Sequence, residues 1–117
     1  MKQVLFVVRA APYGSAAIAE SVRSCLGFAT MPFELSYLLM DDAAWALLPN
    51  QRPQGIGGTP VLSIIANLAE SDVRLCVDAD SLRERGLTTE GVEPRFEALS
   101  QAEVADLVGA ADAVLTY

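Results

Sequence analysis

The run Gln3–Val8 (QVLFVV) offers no polar face to solvent, and it constrains the fold more than any other segment. A continuous apolar run of this length marks a strand buried on both sides, which calls for a parallel sheet with helices above and below it. Later segments repeat the theme. Ala10–Gly14 turns the chain, and Ser15 is the expected N-cap of a helix running to about Phe28. Ile18, Val22, Cys25 and Ala29 fall at helical spacing on one apolar face, and Met31-Pro32 ends it. Phe33–Met40 (FELSYLLM) is a second strand, after which Asp41 or Asp42 caps a short helix through Leu48.

Pro49–Pro60 carries three prolines and three glycines and is expected to be an ordered loop or a flap. Val61–Ala69 has helical periodicity, and Val73–Val77 is the third strand. Ser81–Arg85 is a single helical turn stopped by Gly86. Pro94–Ala98 is a short fourth strand. Ser100 with Glu103 forms a capping box that opens a helix to about Ala110, and Ala113–Tyr117 is the last strand. Strands alternating with helices at this spacing predict a three-layer α/β domain over residues 1–117, with a mainly parallel sheet of about five strands. A closing strand with nothing following to cover its edge points to oligomerisation.

Composition removes several function classes. The net charge is −7 and Lys2 is the only lysine, so a phosphate backbone is repelled and direct nucleic-acid binding is not expected. Histidine is absent, which removes imidazole acid–base chemistry and the usual zinc sites. The two cysteines, Cys25 and Cys76, form no CxxC pair, so neither a metal nor a cofactor is expected. No apolar run approaches the roughly 20 residues that span a bilayer. Arg9 and the Pro-Tyr-Gly that follows end the first run too soon for a signal peptide. A cytoplasmic protein without membrane association is the expectation.

The segment Val73–Thr88 (VRLCVDADSLRERGLT) holds the candidate chemistry. Apolar alternation stops at Val77, as at a strand leaving the core, and such carboxyl ends are where open α/β sheets bind ligands. Cys76 lies just inside that end, with Asp78 two residues later on the same side. A reactive thiol needs cations or a helix N-terminus to favour the thiolate, whereas Asp78 and Asp80 disfavour it. Arg74 shares the side of Cys76 but lies toward the interior end of the strand. Cys76 therefore reads as a small core residue more readily than as a nucleophile. Cys25, on the stripe of Ile18 and Val22, reads as core.

Asp41, Asp42 and Asp78 suggest a magnesium-dependent phosphoacceptor pocket, but no lysine stands at the later strand ends to hold a phosphate. The turn Pro12–Ser15 and the glycine-rich Gln54–Thr59 match neither a Walker A nor a GxGxxG pattern. Tyr13, Trp45, Arg83 and Arg85 are the candidate interface residues.

Five blocks in order are similar to a known family. They are Arg9–Ser15 (RAAPYGS), Leu39–Leu48 (LMDDAAWALL), Gln51–Gly57 (QRPQGIG), Val77–Thr88 (VDADSLRERGLT) and Ala111–Tyr117 (ADAVLTY). Together they resemble the DsrE/DsrF-like sulfur-relay family, most of all its TusC/DsrF branch. The resemblance implies a flavodoxin-like parallel sheet. It implies partners of the TusB/DsrH and TusD/DsrE types in a cytoplasmic hetero-oligomer with two copies of each subunit. Such complexes pass persulfide sulfur toward 2-thiolation of the tRNA wobble uridine or toward oxidation of stored sulfur. The family's catalytic cysteine belongs to the TusD/DsrE-type subunit at the end of the third strand, and that position falls on Asp78, one pleat beyond Cys76. The resemblance thus implies no catalytic residue in this chain. Two alternatives stand beside it: a persulfide carried on Cys76, and a homo-oligomeric small-molecule binder with Pro49–Pro60 as its lid.

Overall fold

The computed structural model describes residues 1–48 and 61–117. The expectations for Pro49–Pro60 and the block 51–57 lie outside them. The elements run β1 (Lys2–Val8), α1 (Ala17–Phe28), β2 (Phe33–Leu39), a 3₁₀ segment (Asp41–Leu47), α2 (Val61–Ala69) and β3 (Val73–Asp78). They continue with α3 (Ala79–Glu84), a 3₁₀ turn (Thr89–Gly91), β4 (Glu97–Leu99), α4 (Gln101–Ala110) and β5 (Ala113–Thr116).

All four strand pairings are parallel, in the order β4-β3-β2-β1-β5. The expected five-stranded parallel α/β architecture is what folds, although this order differs from the 2-1-3-4-5 order of flavodoxin. The first four strands are laid down side by side, and the chain then crosses back to place β5 beyond β1.

Alternation sorts each inner strand onto two faces. Val4, Phe6, Val8, Leu35, Tyr37, Leu39, Leu75 and Val77 join Ile18, Val22 and Cys25 of α1 and Val61, Ile65 and Leu68 of α2 in one large core. Leu5, Val7, Leu38, Cys76 and Leu99 line the opposite face, where Val104 and Leu107 of α4 pack on them. The second layer is thin: no residue of α4 is fully buried. The strands read as unbroken apolar runs because both faces need covering.

A polar pair deep in the larger core, Ser21 and Tyr37, is fully satisfied. Ser21 donates its hydroxyl to the Ile18 carbonyl at 2.7 Å, so the Tyr37 hydroxyl, 2.8 Å away, acts as the donor to Ser21 Oγ. Burial pushes the Tyr37 phenol above its ordinary range, while the Ser21 hydrogen bond works against that rise.

Several local expectations need correction. Ser15 is not the N-cap of α1; Ala16 is, without a side-chain cap bond, and Ser15 Oγ accepts weakly from Ala17 N at 3.3 Å. Neither Asp41 nor Asp42 caps the 3₁₀ segment, whose N-cap is Met40. By contrast, Ser100 and Glu103 form the expected reciprocal capping box on α4.

Candidate functional site at the carboxyl end of the sheet

Three distant segments meet where β1, β2 and β3 end. Asp78 is the last residue of β3 and the N-cap of α3; its Oδ2 accepts from Ser81 N at 3.1 Å and from Ser81 Oγ at 2.6 Å. Ser81 Oγ in turn accepts the Asp41 backbone N–H at 2.8 Å. Asp41 sits at φ 54°, a left-handed conformation that aspartate enters more easily than most side chains. Its carboxylate accepts from Arg9 Nε at 2.6 Å, closing the link back to the end of β1.

Asp42 makes the parallel connection to α3. Arg85 donates to Asp42 Oδ1 through Nε at 3.2 Å and Nη2 at 2.9 Å, and through Nη1 to the Ser81 carbonyl at 3.1 Å. Arg85 is thereby mostly buried and committed inside the molecule. Arg83 pairs with Asp80 one turn away and stays exposed. Gly86, at φ 69°, ends α3 with Leu87 N donating to Leu82 O and Gly86 N to Arg83 O, a Schellman arrangement. Each carboxylate at this pole therefore faces a donor within the chain. Among the described residues, no group of three or more Cys, Asp and Glu side chains is placed to hold a metal ion.

Cys76 sits one pleat back from Asp78 in a different environment. It is fully buried beneath α4 with Leu5, Val7, Leu38 and Leu99. Burial pushes its thiol up to about 11, with Glu97 and Glu103 adding to the rise and Arg74 opposing it. Arg74 is itself held by Glu97 at 3.1 Å. At neutral pH the thiol is therefore held protonated, with no surface exposed to solvent. Cys25 is likewise buried in α1, its thiol pushed up to about 12 by desolvation.

The other candidates divide between internal and external positions. Tyr13 is half-buried against the larger core, and its hydroxyl oxygen accepts from Val61 N at 3.2 Å, tying the turn after β1 to the start of α2. Trp45 is 37% exposed on the 3₁₀ segment. Trp45 and Arg83 present surface to solvent, whereas Tyr13 and Arg85 bind elements together.

Sequence reasoning missed Ser81 as the hub joining Asp78 to Asp41. The spacing Asp78-x-x-Ser81 was its only local signal, since the Asp41 contact spans 40 residues.

The arrangement defines a parallel α/β domain whose third strand ends in a carboxylate that caps the helix after it. The chain belongs to the DsrE/DsrF-like family, whose sequence model matches residues 2–117. Among curated relatives, Protein TusC of Klebsiella pneumoniae (strain 342) is 35% identical over 88 residues, 74% of each chain. Protein TusC of Escherichia coli (strain K12) is 34% identical over the same share. The solved E. coli ychN protein superposes over the whole of both chains with a TM-score of 0.85 and 27% identity. No helix among the described residues is long and apolar enough to cross a membrane.

Proposed function

We propose that this chain is a non-catalytic TusC/DsrF-like subunit of a cytoplasmic sulfur-relay complex, acting as one domain over residues 1–117. Its partners are TusB/DsrH-like and TusD/DsrE-like subunits, and the complex hands persulfide sulfur to tRNA wobble-uridine 2-thiolation or to intracellular sulfur oxidation. The observation that carries the reading is the state of β3: Asp78 holds the strand end as a helix cap, and Cys76 is sealed under α4. A sulfur carrier needs an accessible thiolate, and neither position offers one.

The subunit's contribution is then to build the assembly and to shape the surroundings of a partner's persulfide. Trp45 and Arg83 are its outward contacts at this pole, while Tyr13 and Arg85 act indirectly by fixing the turn after β1 and the position of α3.

Co-expression with TusB/DsrH-like and TusD/DsrE-like chains, followed by size-exclusion chromatography, tests the proposal. The three chains are expected to co-elute in equal amounts. Elution of this chain by itself, with the other two associating without it, would refute the assignment.

A further inference from the structure

The two edges of the sheet are built differently, and one is open. β4 has three residues, its Glu97 is tied to Arg74, and Leu99 is buried beneath α4. Shortness and charge are the usual means of protecting an edge from other strands. β5 (Ala113-Val114-Leu115-Thr116) has no charged side chain, and among the described residues no helix covers it: three of its four residues are exposed, and Val114 is 43% so. Among the described residues β5 pairs with β1 alone.

The hydrogen-bond pattern shows which backbone groups are available. Tyr117 N donates to Val7 O, and Tyr117 O accepts from Arg9 N, so both polar groups of Tyr117 face β1. Alternation turns those of Leu115 and Ala113 the same way and those of Val114 and Thr116 outward, along the open edge. These are four strong hydrogen-bonding groups on a uncharged, β-branched strand.

We propose that β5 pairs antiparallel with β5 of a second copy of this chain about a two-fold axis, joining two sheets into one. The pairing is self-complementary, as a two-fold interface requires. Val114 and Thr116 of one copy exchange hydrogen bonds with Thr116 and Val114 of the other, satisfying all four outward groups. Leu115 lies on the axis opposite its own copy, and its side chain continues the layer of Phe6, its register partner on β1. Electrostatics favour the same choice. Each chain carries a formal net charge of −7, so two copies repel least where they meet on a surface without charged side chains, and Ala113–Thr116 has none. This inference goes beyond the assignment to a relay complex, and it is tested on the isolated chain so that its failure leaves that assignment untouched.

Two variants read the pairing directly. Val114→Pro removes an outward N–H while the inward groups of Leu115 and Ala113 keep their bonds to β1. Light scattering at about 100 μM should show twice the chain mass for wild type, and Val114→Pro should weaken self-association at least tenfold. In Leu115→Cys the facing Cα atoms would lie about 4.5 Å apart, as in a non-hydrogen-bonded antiparallel pair, which is within disulfide reach. With diamide as oxidant it should give a covalent dimer, whereas Val108→Cys, exposed on α4, should not. Cys25 and Cys76 are both fully buried and contribute no competing thiol. A monomeric wild type, a Val114→Pro protein that associates as before, or Leu115→Cys cross-linking no faster than Val108→Cys would each overturn the proposal.

Discussion

Cys76 and Asp78 stand two residues apart on the same side of one strand, and they live in opposite chemistries. The thiol lies under α4 among Leu5, Val7, Leu38 and Leu99, with its pKa pushed up to about 11. The carboxylate stands at the strand end, holding Ser81 and through it Asp41. A single pleat separates a position that tolerates no charge from one that depends on it. The difference teaches that nearness to a crevice does not make a cysteine reactive. What matters is whether the next residues open the strand end or close it, and Asp78 closes it.

Exchanging the two chemistries breaks the comparison most severely on one side. Cys76→Asp buries a carboxylate among Leu5, Val7, Leu38 and Leu99, with the nearby Arg74 already held by Glu97, and should cost more than about 3 kcal/mol, enough to unfold much of the population in denaturant titrations. Asp78→Cys gives up a cap and should cost about 1 kcal/mol, leaving a folded protein. Equal losses for the two variants would mean that the strand end is as sealed as the interior.

Next in size is the hub at the pole. Ser81→Ala removes the donor to Asp78 Oδ2 and the acceptor for the left-handed Asp41, and should cost roughly 1–3 kcal/mol by chemical denaturation. Its loss should be felt in the 3₁₀ segment as faster hydrogen exchange at Asp41 and the residues after it.

Alkaline pH sharpens the contrast from the thiol side. Folding raises Cys76 to about 11 and Cys25 to about 12, and raises Tyr37 as well. Unfolded thiols ionise near about 8.5, so the unfolded chain releases these protons first. The stability they confer is whole below that pH and is lost as pH rises toward 11 and 12, by at most about 1.4 kcal/mol per unit of separation. Denaturation midpoints should hold near neutrality and fall above about pH 9. Cys76→Val should flatten that fall without changing its direction.

A similarly small effect belongs to Gly86. A Cβ there meets no atom within 4 Å, so Gly86→Ala exposes the cost of φ 69° by itself, about 1 kcal/mol. A larger loss would show that α3 is held more tightly than its Schellman turn implies.

How far the molecule was legible follows the range of its interactions. Gln3–Val8, Phe33–Met40 and the helix Val61–Ala69 are visible because burial on both faces, or on one stripe, writes itself into consecutive residues. The Ser100–Glu103 capping box is legible for the same reason: both partners lie within one turn. The strand order 4-3-2-1-5 leaves no local trace. The pole was harder still. Asp41 and Asp42 look like caps in sequence, but Arg9, 32 residues back, and Arg85, 43 residues ahead, claim their side chains. A long-range ion pair outcompetes a local cap that the sequence alone would favour. For Asp78 the break in apolar alternation after Val77 marked the strand end in sequence, while its structural task came only with the geometry of Ser81.

The most direct test of the account is the sulfur load of the purified chain. Incubation with a persulfide donor and intact mass measurement of the folded protein should show no stable adduct of about 32 Da, because both thiols are buried and protonated. An adduct of that mass, retained in Cys25→Ser and lost in Cys76→Ser, would contradict the account and make Cys76 a sulfur carrier.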